Sequence, residues 1–376
     1  VIVRPVYFIP LSFLLMLGLF VTLWGRTVLR YVEAGILLAD IVADRDERHE
    51  VQRQHIDYRQ KGRNRKADLY RGPGEIKAGL ILLPGVAELG GEDPRLIRFA
   101  SSLSRAGFAV LVPELPGLRR LRVSSSDTEE VADAFAWLSA QSDLVPSGRM
   151  GLAAFSYASG PAILAALHER IREQVGFVFV VGGYYDLLRV VTFLTTGYFI
   201  YQGRQYYLPP DNYGKWAFVV GNIDRLENSE DQRLLRLMAR RLRRNPEAAT
   251  QDIVSKLSTG GRALLSFISN RDPARVSELL SDLPQAIRKE LSALNLASQD
   301  LSKLRAPLIL VHGYEDPMIP FPESIALAQA ASGNRNRLYL VHGLMHVDIV
   351  PGLADRWRLL QALHDLLAAR DGALPY

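Results

Sequence analysis

The sequence predicts an α/β protein with a mostly parallel sheet covered by helices on both faces. Short, near-continuous apolar runs recur at 77–83, 107–113, 149–155, 176–181, 307–311 and 337–341. Runs of that length without polar alternation fit strands buried on both faces. Segments with helical apolar spacing follow them at 96–105, 127–142, 160–172 and 353–369. Strand and helix taking turns along the chain is the pattern of crossover-connected parallel strands. Such sheets carry their chemistry at the carboxyl ends of the strands.

Residues 5–25 carry no charge and are rich in Leu and Phe, with Arg4 and Arg26 at either side. At 1.5 Å per helical residue the run spans a hydrocarbon layer of ~30 Å. Tyr7 and Trp24 stand where interfacial aromatic residues occur. The expectation is a single-pass N-terminal membrane anchor at 1–25. A cleaved signal peptide and a buried core helix are the alternatives, and charge bias does not fix the orientation. Residues 26–54 follow as an amphipathic linker helix, with polar residues at 26, 30, 33, 40 and 44 on one stripe. It would lie at the membrane interface or cover apolar surface of the globular part.

The alternating region occupies 55–186 and resumes over 305–376. Residues 187–304 interrupt it and read as a helical insertion. Their first part is uncharged and aromatic, with Phe193 and Phe199.

The 376 residues are 48% hydrophobic and 23% charged, which excludes a disordered chain. A mean hydropathy of +0.03 excludes a polytopic membrane protein. The absence of cysteine excludes disulfide scaffolds, thiol nucleophiles and thiolate metal sites. The net charge is +5, with basic blocks at 59–71 and 233–244. No nucleic-acid-binding motif accompanies those blocks, so a solvated basic face or anionic-lipid contact is expected and nucleic acid is not. Neither a metal-spaced histidine cluster nor a phosphate-binding glycine loop occurs, so no cofactor is implied.

The third apolar run leads into Ala-Ala-Phe-Ser-Tyr-Ala-Ser-Gly at 153–160. Ser156 stands between strand and helix with small residues two places before and after. A nucleophile on a tight strand-to-helix turn needs that, because the backbone packs closely there. A serine capping the helix is the plain structural alternative, and Ser159 is the nearest rival nucleophile. Asp316 follows the strand at 307–311, and His346 follows the strand at 337–341. The chain order is thus Ser156, Asp316, His346, each beyond a strand's carboxyl end.

In this order and placement, and in the His-Gly-x-x-Asp-x-x-Ile-Pro run at 312–320, the chain resembles the α/β-hydrolase superfamily. The resemblance covers 55–185 and 305–376, with 187–304 in the position of a cap. It departs from the usual elbow, which has glycine where Ala154 and Ala158 stand, and has Pro84 where histidine is common. The resemblance implies a serine hydrolase acting on a small-molecule or lipid-like ester with an apolar acyl or aryl group. Ser156 would be nucleophile, His346 base, and Asp316 its orienting acid. The backbone amides of Val86 and Tyr157 would bind the oxyanion, and Tyr184, Tyr185, Phe193 and Phe199 would line the substrate pocket. His312, His342 and Glu315 are competing candidates within the same loops, and Asp348 reads as a surface or helix-entry acid. A catalytically silent, membrane-tethered binding or scaffold module is the alternative function.

Overall fold

The structure is a computed structural model. It describes residues 11–42, 51–86, 88–245, 247–331, 336–346, 348–349 and 352–374, with side chains of the first segment from Gly25 onward. The chain opens with one long helix, α1 (Leu11–Val42). A hairpin follows, β1 (Gln52–Gln60) and β2 (Arg63–Arg71). The alternating core begins with β3 (Ala78–Leu83), α2 (Pro94–Arg105) and β4 (Phe108–Pro113). It continues through the short helix α3 (Pro116–Arg119), α4 (Asp127–Ser139), β5 (Met150–Phe155), α5 (Ser159–Leu167) and β6 (Val175–Val181). It resumes later with β9 (Leu308–Gly313), α13 (Pro322–Ala330), β10 (Arg337–Val341) and α14 (Leu353–Arg370).

These form one eight-stranded sheet in the order β1-β2-β4-β3-β5-β6-β9-β10. The hairpin and its junction with β4 are antiparallel, and every other pairing is parallel. This is the α/β-hydrolase architecture, with β5 near the middle. Every residue of β3 and β4 is buried, as two-sided coverage demands. Helices α4 and α5 cover one face; α1, α2 and α14 cover the other.

The hairpin has no counterpart among the expected strands. Its strands are dense in Arg, Lys and Gln and bury little beyond Tyr58 and the end of β2. Lys61 and Gly62 make the turn with positive φ, the geometry two-residue hairpins need. The basic block at 59–71 therefore runs from the end of the edge strand β1 through the turn into β2, which is paired by β1 on one side and β4 on the other. Its Arg65 is engaged, pairing with Glu130 and Asp133 of α4. The block at 233–244 lies on a helix of the insertion and is likewise paired. Arg233 meets Glu230, Arg236 meets Asp224, Arg241 meets Asp252 and Arg243 meets Glu88.

Between β6 and β9 lie α6 (Leu187–Thr196), a small hairpin of β7 (Tyr198–Tyr201) and β8 (Arg204–Tyr207), α7 (Asn212–Asn222) and α8 (Ser229–Arg244). The short α9 (Gln251–Val254), α10 (Thr259–Ser269), α11 (Val276–Asp282) and α12 (Gln285–Leu294) complete this part. Local chemistry sets its boundaries. Asp186 caps α6 through Leu188 N, Gly197 ends it at φ 81°, and Asp211 caps α7 through Tyr213 N. These helices enclose a separate core around Leu235, Leu264, Phe267 and Ile287.

The expected anchor at 1–25 lies largely outside the residues whose side chains are described; its backbone is helical from Leu11. Among the described residues, no helix is long and apolar enough to cross a membrane. Residues 26–42 continue the same helix, but its polar stripe faces the protein. Arg30 binds Asp371 at 2.8 Å, Glu33 binds Arg370 at 2.6 Å, and Asp40 binds Arg105 at 2.8 Å. Ala34 and Leu37 are buried between these pairs, while Val28, Leu29, Val32 and Ile36 point outward and are more than half exposed.

Arg370 is the hinge of this attachment: it is 1% exposed and also bonds the Ala106 carbonyl. Arg370→Ala leaves Glu33 and Asp371 without their buried cation. It is expected to lower unfolding stability by about 3 kcal/mol and to open α1 to limited proteolysis. A urea titration showing a change below about 1 kcal/mol would place the network among weak surface pairs.

Candidate active site

The chain leaves β5 through a tight turn, Ser156–Ala158, before α5 begins. Ser156 adopts φ +57°, a region that residues with a Cβ rarely enter. Backbone strain of this kind persists only where its surroundings hold it. β5 is fixed on both sides by parallel pairing with β3 and β6. Gly85 packs against the turn, where a Cβ would make ordinary contact with Ser156 Cβ at 3.6 Å. Ala154 and Ala158 are each 1% exposed, so their methyl groups are accommodated in the core. The turn demands small residues at those places rather than glycine. The position that does require glycine is Gly160, where a Cβ would fall 1.8 Å from the Tyr184 hydroxyl. Ser159 is fully buried, its Oγ accepting from Tyr184 N at 3.4 Å, and it does not reach the cavity.

Asp316 lies in the turn after β9 and is 1% exposed. Its Oδ1 accepts from the amides of Met318 at 2.8 Å and Ile319 at 3.1 Å. Its Oδ2 lies 3.0 Å from His346 Nδ1 and 3.5 Å from His312 Nε2. Burial works to raise the carboxyl pKa, but the charge of His346 and the bonds with His312 and His346 outweigh it. They hold the group well below the ordinary carboxylate range, so Asp316 is a fixed acceptor. His346 itself adopts φ +62°. Gly182, at the end of β6, fits beneath the pair: a Cβ there would sit 3.2 Å from Asp316 Oδ2 and 3.6 Å from His346 Nδ1.

The competing groups are otherwise engaged. His312 is fully buried, with Nδ1 2.6 Å from Ser324 Oγ and Nε2 2.9 Å from the Ile319 carbonyl. This second serine–histidine contact is fully buried and does not border the cavity that holds Ser156. His342 points outward, paired with Glu315 at 2.5 Å and stacked on Tyr314. The side chain of Asp348 lies outside the described residues.

Ser156 and His346 border one cavity of about 750 Å³, together with Gly85, Val86 and Tyr157. Its size falls in the range of small-molecule sites. Tyr157 is the second residue of the turn, so its amide precedes the first hydrogen bond of that turn. Tyr213, at the start of α7, donates to the Val86 carbonyl at 3.3 Å and ties the insertion to this loop. Met318, Leu187, Val191, Leu194 and Ala217 supply an apolar roof. Arg122, Arg225 and Glu290 give one end a polar wall. Sequence reading missed these three because they come from segments far apart in the chain. It also missed Glu323, 1% exposed, which accepts from the amides of Tyr185 and Asp186 at 3.1 and 2.7 Å and fixes the loop after β6. Burial raises its carboxyl pKa. Among the described residues no cluster of His, Asp or Glu is placed to hold a metal ion.

Of the four residues expected to line the pocket, only Tyr184 borders the cavity. Its hydroxyl donates to the Leu294 carbonyl at 2.9 Å, joining the strand end to α12. Tyr185, Phe193 and Phe199 do not border it. Phe193 is fully buried and packs edge-on against Phe199, which stacks on Tyr206 and meets Phe321. The aromatic run builds the core and hairpin of the insertion because α6 turns Phe193 away from the cavity and towards β7.

No protein-family profile matches the chain, and no curated protein matches it. Among solved structures it is similar to a hyperthermophilic esterase from the archaeon Pyrobaculum calidifontis, with 14% identity and a TM-score of 0.47 over 93% of this chain and 92% of that one. It is also similar to an acylaminoacyl peptidase from Pyrococcus horikoshii, with 12% identity and a TM-score of 0.46 over 84% of this chain and 41% of the other. A puromycin-hydrolyzing peptidase from Mycobacterium tuberculosis gives 15% identity and a TM-score of 0.46, over 86% of this chain and 40% of the other. The chain thus spans about two-fifths of the length of these peptidases.

The contact between Gly160 and Tyr184 is directly testable. Gly160→Ala forces the tyrosine aside and is expected to cost about 1–3 kcal/mol. Tyr184→Phe loses one buried hydrogen bond, at about 1–2 kcal/mol. Combined, the two should cost less than their sum, because the phenylalanine lacks the nearest clashing atom, though its ring carbon Cζ at 2.7 Å keeps part of the contact. Strict additivity in thermal or urea melts would show that Gly160 is not held by that hydroxyl.

Proposed function

We propose that the protein is a serine hydrolase that cleaves carboxylic esters through an acyl-enzyme on Ser156. The observation that carries this reading is a serine in left-handed backbone conformation opening onto the same cavity as a histidine paired with a buried, ionised aspartate. A helix-capping serine has no need of that backbone geometry. Ser156 Oγ attacks the ester carbonyl, and His346 Nε2 takes the hydroxyl proton. Asp316 holds Nδ1–H, fixes the tautomer and stabilises the imidazolium that forms. The amides of Tyr157 and Val86 receive the negative oxygen of the tetrahedral intermediate. Its collapse breaks the bond to the leaving oxygen, which departs as the alcohol with the proton from His346. Water then attacks the acyl-enzyme, giving its proton to His346, and Ser156 regains one as the acid leaves. The apolar roof favours esters with apolar acyl or aryl groups.

We also assign α1 to a membrane surface. The apolar run at 5–25 precedes the outward-facing Val28, Leu29, Val32 and Ile36, and Leu353 and Trp357 of α14 are exposed apolar groups as well. Apolar burial in lipid would hold the chain there.

Ser156→Ala is expected to lower turnover of p-nitrophenyl esters by about four to six orders of magnitude without changing the melting temperature by more than a few degrees. A fluorophosphonate probe should label the wild type at Ser156 and leave this variant unlabelled. Labelling that persists in Ser156→Ala, or moves to Ser159, would refute the assignment. For the membrane reading, the full chain should sediment with lipid vesicles and stay bound in 1 M salt, where charge attraction is screened to about 3 Å. Release by salt alone would show that charge, not apolar burial, makes the contact.

A further inference from the structure

The cavity beneath Ser156 has a second arm that none of the residues discussed so far explains. From the reactive serine it continues past Phe155 to the sheet face covered by α1, α2 and α14. Leu38 and Ile41 of α1, Phe99 of α2, Leu359 and Leu363 of α14, and Val311 of β9 wall it. These six are hydrocarbon or aromatic side chains; Asp93, Arg95 and Arg98, at and after the start of α2, border the same cavity. Charged residues border the cavity on the insertion side, at Arg225 and Glu290, and on α2, at Arg95 and Arg98, so the continuous apolar wall is the part formed by α1, α14 and β9. Leu38 and Ile41 are only half-buried, and the exposed Val42 and Met345 border the arm where it meets the surface. An apolar wall with partly exposed members and, among the described residues, no side chain filling the space invites hydrocarbon from the substrate.

We infer that this arm holds the acyl chain of a long-chain ester, and that α1 is part of the specificity-determining wall. The inference rests on Ser156 being the nucleophile. It assigns the chain to the α1 side and the alcohol portion to the side of Arg122, Arg225 and Glu290. α1 gains the role because its salt bridges turn its polar stripe inward to α2 and α14. That rotation brings Leu38 and Ile41 over the arm and leaves Ile36 outside. The pocket is therefore completed by a helix from outside the alternating core, and the substrate class is a lipid-like ester with one extended saturated or unsaturated chain.

The test compares p-nitrophenyl acetate with the butanoate and decanoate esters on the full chain, using Leu38→Trp and Ile41→Trp to fill the arm. In the wild type kcat/KM should rise about fourfold per methylene over the first few methylenes. The decanoate-to-acetate ratio should fall at least about tenfold in both tryptophan variants. Ile36→Trp, on the outer face of α1, should keep the wild-type ratio. Leu38→Ala and Ile41→Ala widen the arm without overfilling it, and should shift the preferred chain to greater length. A second readout is independent of turnover: binding of a fluorescent long-chain fatty acid to Ser156→Ala, and to the same variant carrying Leu38→Trp. The added tryptophan should raise the dissociation constant at least about tenfold. An unchanged chain-length ratio and unchanged fatty-acid binding would overturn the inference. Fatty-acid binding that depends on Leu38, in a protein that turns over no ester, would keep the arm and refute the hydrolase reading.

Discussion

The left-handed backbone at Ser156 is the constraint on which the rest of the molecule converges. A residue with a Cβ at φ +57° costs free energy, on the order of 1–3 kcal/mol, and relaxes unless its neighbours forbid it. Here they do so from three directions. The sheet clamps β5 between two parallel strands, Gly85 packs against the turn from the loop after β3, and Gly160 lets Tyr184 lie directly against the start of α5. Tyr184 in turn bonds the Leu294 carbonyl, so the last helix of the insertion is tied to the same turn. Packing density, sheet register and insertion docking all meet at one strained peptide. This explains why so many small residues cluster there.

Much of this was legible in the sequence because it is written in local patterns. The six apolar runs fall within a residue or two of β3, β4, β5, β6, β9 and β10, since a strand buried on both faces has little choice of composition. Ser156, Asp316 and His346 were readable from their places after strands. What was hidden is what depends on distant partners. The hairpin β1–β2 was hidden because an edge strand with one solvated, charged face lacks an apolar run. The orientation of Phe193 and Phe199 was hidden because a helical insertion offers aromatic residues two apolar destinations, its own core or the cavity, and periodicity does not choose between them. Gly160 was visible as a glycine, but only Tyr184 across the turn explains it.

Charge tells a similar story. A net charge of +5 and two basic blocks look like a surface awaiting an anionic partner. In the folded chain the blocks are laced to carboxylates on neighbouring elements, as with Arg65 to α4 and Arg243 to Glu88. Most such exposed pairs add little stability. The polar stripe of α1 is the exception with structural weight, because there the cation Arg370 is buried and the paired residues decide which way the helix faces.

That attachment joins residues about 340 positions apart, Arg30 to Asp371 and Glu33 to Arg370. At a ribosomal rate of about 5–20 residues per second, α1 leaves the ribosome on the order of half a minute before α14. Throughout that interval the side of α1 that will meet α14 has no partner, while its outward side is already apolar. A nascent chain of this design is exposed to aggregation early and closes late. The α1–α14 contact therefore closes only when the last helix is made, late in the life of the nascent chain.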